Sequence, residues 1–538
     1  MPTPRISPVL AALLVLCACD PTPRGPSGTV VIATAADADV LIPALSTTGP
    51  GFAVGEQLFL KLAELGPELN TTGDRGFIAE LAESWRFEDS VTIAFHLHPH
   101  ARWHDGTPVR ARDVVFTFDL YRDTLAAIGA RPLLASIEAV EARDSLTVAF
   151  RFVRPYGEQF YDATHHMWIL PRHLLDTIPR DRLRTHRLAR NPVGAGPYRL
   201  ASWQPGQTIE LVADTSFFRG PPGIARLIWR ITPDFGTAIT QVVAREADVI
   251  DVVVGPENVS RVQAADSVRL IDYSSNAYMY VGFNFRTPGR TPQPHPLFAD
   301  RDLRRAIALG TNREVVIEAV LDGRGAVPRG PTTPILWIWE GAPRQLPFDS
   351  AAARAELERL GWRDADGDGV RERDGRPLAF DLLVPSSSAI RQRAAVILQQ
   401  QWQQLGMRVR LVELEFNTFN ERTRAGRFDA IMGALAIDPV PSGIRQLWTA
   451  AGVGGTNYGA YVNPTFDSLV TSAIETREQA AARRLWHRAL ETINDDAPAV
   501  WLFTPSLGAA VNARVWNVTI RPDLWSAFLW EWRVTDSE

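Results

Sequence analysis

The stretch LAESWRFEDSVTIAFHLHPHARWHDGTPVRARDVVFTFD, residues 81–119, carries two hydrophobic periodicities in close succession. Residues 91–97 alternate Val, Ile, Phe and Leu with Thr, Ala and His, which predicts a β-strand. The run Trp-His-Asp-Gly at 103–106 predicts a turn, since Gly frees the backbone and Asp supplies a local acceptor. Apolar residues then recur at i, i+4 and i+7, which predicts a helix with one buried face: Val114, Phe118 and Tyr121.

Outward from this stretch, strands and helices continue to alternate. Residues 29–33 are β-rich and predict a first strand. Residues 351–360 predict a helix capped by Asp349 or Ser350. A second helix is expected at 390–405, followed by a strand at 407–411. This alternation indicates an α/β fold.

Composition describes a soluble globular protein. The 538 residues suffice for two or three domains, and 46% are hydrophobic and 22% charged. The net charge of −5 provides no basic surface for nucleic acid. All 56 basic residues are Arg except Lys61. Nucleophile-elbow, zinc-protease, P-loop and dinucleotide-binding motifs are missing from the sequence, so we expect neither an enzyme nor a cofactor.

Both cysteines lie near the start of the chain, at positions 17 and 19. Residues 9–18 form an apolar run that is too short to cross a bilayer but fits a secretory signal. The run ends in Leu-Cys-Ala-Cys and resembles a bacterial lipobox, which predicts a signal peptide over 1–19 and lipidation at Cys19. The alternative is a plain signal peptide with incidental cysteines. Residues 20–28 then predict a polar, Pro-rich tether.

Seven runs in the same order as in a known family carry a resemblance over nearly the whole mature chain. They are residues 81–119, NPVGAGPYRLASWQPG (191–206), EADVIDVV (246–253), YVGFNFRTP (280–288), DLRRAIALGTNREVVIEAVLDGRG (302–325), GWRDADGDGVRERDGRPLAFDLL (361–383) and NYGAYVNPTFDSLV (457–470). The chain thereby resembles the bacterial extracellular solute-binding proteins of family 5, which includes oligopeptide-, dipeptide- and nickel-binding proteins of ABC transporters.

The resemblance implies a two-lobed periplasmic-binding-protein clamshell, type II-like, with an extra inserted domain. The ligand is expected between the lobes, where hinge closure buries it. The implied divisions are a discontinuous lobe I at 29–55, 191–285 and 500–538, an inserted domain at 56–190, and lobe II at 286–499.

The implied function is capture of a peptide or related small solute for an ABC importer. Expected partners are the solute, the permease subunits with their ATPase, and the membrane through the lipid anchor, with the protein itself a monomer. Asp20 after Cys19 resembles the inner-membrane retention signal of Gram-negative lipoproteins, which predicts the periplasmic face of the inner membrane. Two alternatives remain open: a solute-sensing lipoprotein without transport, and a binder of a metal complex or oligosaccharide.

The leading ligand-binding candidate is Asp438. In peptide-binding relatives, an aspartate after a Phe-Asp-Ala run pairs with the α-ammonium of the peptide. Here Phe-Asp-Ala at 428–430 leads to Asp438 with matching spacing. A cleft carboxylate needs a cationic partner, and the ammonium of the ligand can supply it. The alternative is that Asp438 and Pro439 form a simple turn.

Other candidates come from positions in the family. Tyr278, Tyr280 and Phe416 are expected as cleft aromatics, and Leu435 stands where relatives often have Trp. Met432 and the serines at 386–388 replace arginines that bind a carboxylate in some relatives. The chain therefore lacks an obvious bidentate clamp for a free peptide carboxylate.

Metal sites are expected to be absent. His96, His98 and His100 would share one face of a strand, but a solvated edge is the preferred interpretation. His165 and His166, taken as adjacent strand residues, would point to opposite faces. The acidic run at 364–369 begins like a calcium loop but has Gly375 where an acidic ligand is required, so a polar turn is predicted.

Overall fold

The computed structural model describes residues 27–253, 255–290 and 292–535. The predicted signal peptide, Cys19 and most of the predicted tether lie outside these residues. Among the helices that are described, none is both long and apolar enough to cross a bilayer.

Strands account for much of the described chain. They are β1 Ser27–Thr34, β2 Ala63–Leu65, β3 Phe77–Ala79, β4 Ala82–Phe87, β5 Thr92–Leu97, β6 Ile137–Ala142, β7 Thr147–Phe152, β8 Tyr198–Gln204, β9 Thr208–Ala213, β10 Ile224–Ile231, β11 Val249–Ile250, β12 Val268–Ser274, β13 Ala277–Phe283, β14 Gly325–Ala326, β15 Glu372–Arg373, β16 Arg376–Pro377, β17 Ala379–Pro385, β18 Arg408–Leu414, β19 Ala430–Ala436, β20 Ala499–Asn512, β21 Val515–Trp516 and β22 Arg533–Val534.

The α-helices are mostly short. They are α1 Gly49–Leu58, α2 Ala111–Arg122, α3 Gln159–Thr164, α4 Arg172–Leu175, α5 Arg187–Arg190, α6 Phe235–Val243, α7 Pro256–Gln263, α8 Arg301–Leu309, α9 Arg313–Leu321, α10 Ser350–Arg359, α11 Ala389–Gln403, α12 Phe416–Arg424, α13 Gly443–Trp448, α14 Pro464–Glu475 and α15 Gln479–Asp496. Short 3-10 helices occur at Pro43–Leu45, Arg131–Leu134, Arg180–Thr185, Ala450–Gly452 and Leu529–Glu531.

Local signals in the sequence place several elements correctly. The predicted helix at 351–360 is α10, and Asp349 caps it by accepting the backbone N–H of Ala352 at 2.8 Å. The strand predicted at 91–97 is β5. The turn predicted at 103–106 also forms, and in it the Gly106 N–H donates to the Trp103 carbonyl at 2.8 Å. The α/β prediction is therefore confirmed, down to the caps and turns that bound the elements.

One twelve-stranded mixed sheet organises the molecule, in the order β18-β17-β19-β13-β20-β11-β1-β10-β9-β8, with β12 and β14 also paired to β20. Strand β20 belongs to both parts of this sheet. Residues near its start pair with β13, whereas its later residues pair with β12 and β11. We call the strands from β18 to β13 the second sheet segment, and β12, β11, β1, β10, β9 and β8 the first sheet segment.

The chain passes between the two sheet segments at two adjacent places. One is the middle of β20, and the other is the link between β12 and β13 at Ser275 and Asn276. The Ser275 N–H donates to the Pro505 carbonyl at 3.0 Å, so the two crossings lie side by side. A paired double crossing of this kind suits a clamshell, because a hinge motion then concentrates in a few residues.

A separate four-stranded antiparallel sheet, β4-β5-β7-β6, lies within the range predicted for the inserted domain. Its inner face carries Ile93, Phe95 and Phe150, all fully buried. These side chains join the same hydrophobic core as the first sheet segment. The second sheet segment has a core of its own, in which Trp402 is fully buried.

Candidate functional site

A cavity of about 500 Å³ lies at the double crossing. The carboxyl ends of β1 and β11 open into it through Thr34, Asp251 and Val252. The second sheet segment contributes the residues that follow β19, including Asp438. Crevices at the carboxyl ends of parallel strands are the usual ligand sites of open α/β sheets, and the volume suits a small ligand.

The walls combine aromatic rings with a few acidic groups. The rings belong to Phe52, Trp168, Trp229, Tyr273 and Trp525. The Tyr273 hydroxyl donates to the Asp251 carbonyl at 2.8 Å, which ties the end of β11 to β12. Such a lining suits a ligand that combines apolar surface with cationic groups, since aromatic faces attract cations.

Lys61, the single lysine of the chain, lies on the cavity wall with its side chain 1% exposed. Its Nζ is 3.1 Å from Glu56 Oε1 and 2.9 Å from Glu64 Oε2. It also lies 4.8 Å from the centre of the Trp168 ring, whose Nε1 donates to Glu56 at 2.6 Å. The ammonium is thus held by protein groups on three sides.

Arg521 completes this charged cluster from the C-terminal part of the chain. It is fully buried, donates to Glu64, and donates from Nε to Asp523 Oδ1 at 2.7 Å. Burial alone would raise the pKa of Glu64, but Arg521 and Lys61 outweigh it and hold the pKa well below its usual range. Burial raises the pKa of Glu56 to about 8.

The cluster is therefore balanced without a ligand. The cations of Lys61 and Arg521 lie against the carboxyl groups of Glu56, Glu64 and Asp523. Buried charges are tolerated when they are paired in this way. It follows that neither cation is available to bind a ligand carboxylate.

Two further carboxylates on the cavity wall are in a different state. Asp438 is exposed in the segment after β19, and Asp251 is half-buried after β11. Within the described residues, neither forms an ion pair. Burial raises the pKa of Asp251 to about 6, although its own N–H and that of Val252 offset part of the effect. The cavity thus carries unneutralised negative charge.

The backbone holds Asp438 in place. The N–H of Ile437 donates to the Asn276 carbonyl at 2.9 Å, which joins the end of β19 to the crossing between β12 and β13. The chain bends at Pro439, directly after Asp438.

The other predicted site residues do not line this cavity. Tyr278 is fully buried, and its hydroxyl accepts from Trp448 Nε1 at 3.0 Å. Tyr280 and Leu435 line a separate void of about 20 Å³ inside the second sheet segment. Phe416 begins α12 and is 44% exposed. The structure therefore brings Asp438 together with none of these four side chains.

The positions that carry arginines in some relatives offer no clamp in the described structure. Met432 is fully buried in the core, and Ser388 caps α11. Arg391 turns to the Met432 carbonyl, 3.5 Å from its Nη1, and lies outside the cavity wall. None of these positions thus places a guanidinium on the cavity wall for a ligand carboxylate.

The histidine predictions need correction on local structure. Strand β5 ends at Leu97, so His98 and His100 follow in a turn rather than sharing a strand face with His96. His165 is the C-cap of α3, so His165 and His166 lie at a helix end and not on a strand. The Nδ1 of His165 is buried without a hydrogen-bond partner in the described structure, and the ring lies on the cavity wall.

The acidic run at 364–369 forms a loop with successive bends. Asp364 accepts the N–H groups of Gly367 and Gly369 at 2.8 and 3.1 Å. The carboxylate of Asp364 clusters with those of Asp366 and Glu372. Asp364 and Asp366 are exposed. Acidic side chains in this loop are thus used to hold its backbone.

Sequence reasoning missed several residues of the cavity wall, chiefly Lys61, Asp251, Trp168, Trp525 and Asp523. Two of them carried a signal: Lys61 is the single lysine, and Asp251 lies within EADVIDVV. The segment 521–525 carried none, because only long-range packing brings it to the cavity.

Comparisons with known proteins agree with this architecture. The chain is similar to the oligopeptide-binding protein AppA of Bacillus subtilis, at 23% identity over 94% of the chain and 91% of the relative. The solved structure of that protein with a nonapeptide gives a TM-score of 0.72 at 22% identity, covering 95% of this chain and 100% of the other.

A second relative is the probable D,D-dipeptide-binding periplasmic protein DdpA of Escherichia coli, at 26% identity over 94% of the chain and 93% of the relative. The structure of NikZ from Campylobacter jejuni with Ni(L-His) gives a TM-score of 0.72 at 19% identity, covering 94% and 99% of the two chains. At these identities the solved structures show the fold alone. The model of the bacterial extracellular solute-binding proteins, family 5 middle, matches residues 76–458, and the chain therefore belongs to this family.

Proposed function

We propose that this protein captures a short peptide in the cavity at the double crossing and delivers it to the permease of an ABC importer. The observation that carries the proposal is the Asp438 carboxylate, which lines the cavity and forms no ion pair with a described residue. An α-ammonium group would supply the missing cation. AppA is an oligopeptide-binding protein and DdpA a probable D,D-dipeptide-binding protein, which supports a peptide ligand.

Movement of the lobes would follow from the same geometry. The cavity draws its walls from both sheet segments, and the chain passes between them only at the double crossing among described residues. A ligand that contacts both walls stabilises the closed form, and it drives closure only by binding that form more tightly. The lobe boundaries at 285–286 and 499–500 remain predictions.

We predict that Asp438→Asn weakens binding of a tripeptide with a free amino terminus by about 30-fold or more, because the ammonium loses its charge partner. Isothermal titration calorimetry on the soluble domain measures the change. Asp374→Asn is the matched control, since Asp374 is exposed in the β15–β16 turn and does not line the cavity. Equal affinity of wild type and Asp438→Asn would contradict ammonium pairing. N-acetylation of the peptide should reproduce the loss in the wild type.

We also propose that Cys19 carries the lipid anchor that keeps the protein at the periplasmic face of the inner membrane. The support is the lipobox-like sequence before it, together with the family's extracellular location. We predict that Cys19→Ala moves the protein from the membrane fraction to the soluble periplasmic fraction, because the acyl chains supply the membrane affinity. Fractionation and immunoblotting measure this, with Cys17→Ala as the control. Membrane retention of Cys19→Ala would refute the anchor.

A further inference from the structure

We infer that the ligand carries two cationic groups, and that Asp251 binds the second of them while Asp438 binds the first. The inference rests on the proposed function for the role of Asp438. It narrows the substrate class from peptides in general to those whose first residue has a basic side chain.

The charges on the cavity wall support this assignment. The charged side chains that line it are Lys61, Asp251, Asp438 and Asp523, with His165 as a further titratable group. Lys61 is neutralised by Glu64 and held by Glu56, and Asp523 is neutralised by Arg521. Burial and the neighbouring Lys61 hold the pKa of His165 well below its usual range, which disfavours the cationic ring. Two carboxylates, Asp251 and Asp438, remain without a cationic partner in the part of the chain that the structure describes.

The motif EADVIDVV contains two aspartates, and they differ in whether the fold supplies a cationic partner. Asp248 lies three positions before Asp251 and is buried. The Arg514 guanidinium pairs with both Asp248 oxygens at 2.7 Å, so this carboxylate has a structural cation. Asp251 accepts hydrogen bonds from its own N–H and that of Val252, has no ion pair within residues 27–253, 255–290 and 292–535, and lines the cavity. The fold thus supplies a cation to one aspartate and leaves the other to the ligand.

The surroundings of Asp251 suit an ammonium or guanidinium group. Burial raises the pKa of this carboxyl, which means that the charged form is poorly solvated and gains from a cation. The aromatic rings of Trp229 and Tyr273 line the same cavity, and such faces attract cations. The two aspartates come from different sheet segments, so a ligand with two cationic groups would join both walls.

The decisive experiment compares Lys-Ala-Ala with norleucine-Ala-Ala, which keeps the four-carbon chain of the lysine side chain but lacks its ammonium group. Titration calorimetry on the wild type is expected to show Lys-Ala-Ala binding at least about tenfold tighter. In Asp251→Asn, this preference should disappear, so that the two peptides bind with equal affinity. Asp374→Asn is again the control and should keep the preference. The wild-type comparison stands by itself if Asp251→Asn folds poorly.

A third ligand, 1,5-diaminopentane, separates a basic peptide from a free diamine. Equal affinity of the wild type for both peptides would overturn this inference and leave the proposed function standing. A preference for Lys-Ala-Ala that persists in Asp251→Asn would overturn the role of Asp251. If neither peptide binds but the diamine does, and Asp251→Asn abolishes that binding, the peptide function fails and the inference of a dicationic ligand holds. Binding of none of the three would overturn both.

Discussion

Replacing Arg521 with Met is expected to lower the free energy of unfolding by about 3–5 kcal/mol. Arg521 is fully buried and donates to Glu64 and Asp523. It also donates to the Leu65 carbonyl at 2.6 Å. Without the guanidinium, Asp523 has no cationic partner among described residues, and Glu64 keeps only Lys61. Breaking a buried ion pair on one side leaves a charge that burial penalises strongly.

Urea denaturation followed by circular dichroism measures this loss through the transition midpoint. The matched control is Arg86→Met, since Arg86 pairs with Glu88 at 2.8 Å but is 73% exposed. Exposed pairs contribute little, so the control midpoint should stay close to that of the wild type. Equal midpoints for the two variants would show that the buried cluster does not stabilise the fold. Adding Asp523→Asn to Arg521→Met should recover part of the loss, because Lys61 still pairs with Glu64.

Gly194→Ala is expected to destabilise the protein by at least about 3 kcal/mol, because the new methyl group has no space. A Cβ at this position would lie 1.7 Å from the Leu58 carbonyl oxygen and 2.7 Å from its carbon. Both atoms belong to the backbone at the end of α1, so no side chain can move aside. The Gly194 carbonyl also accepts the His104 N–H at 2.7 Å, which fixes the loop from the other side.

Thermal denaturation and soluble yield measure the effect of Gly194→Ala. Gly129→Ala is the control, since Gly129 is exposed and a Cβ there would meet nothing within 4 Å. The control should unfold like the wild type. A Gly194→Ala protein as stable as this control would mean that α1 and the loop shift apart at little cost.

The sequence allowed prediction where local rules decide the structure. Helix α10 follows from its capping Asp, and the turn at Gly106 follows from its residues. The family resemblance led to Asp438, which the structure places on the cavity wall. In each case the relevant signal lies within a few residues along the chain.

Other features depend on contacts between distant residues. Lys61 and Arg521 are 460 positions apart, yet both contact Glu64. The charge state of Asp251 could not be predicted either, because the same motif contains Asp248, and only the fold shows which of the two meets Arg514. Tyr278 and Tyr280 were expected in the cleft, but β13 lies inside the sheet and both side chains pack into the core.

Strand β20 has a consequence for the construction of chimeric binding proteins. Because its residues pair with β13 at one end and with β12 at the other, neither sheet segment is complete without it. If one half were replaced by that of a relative and the chain were joined at only one crossing, part of β20 would lie beside a strand that it does not match. Both crossings must therefore be exchanged at once. The natural exchange points are the middle of β20 and the Ser275–Asn276 link, where the transplanted half would arrive with its own share of the cavity wall.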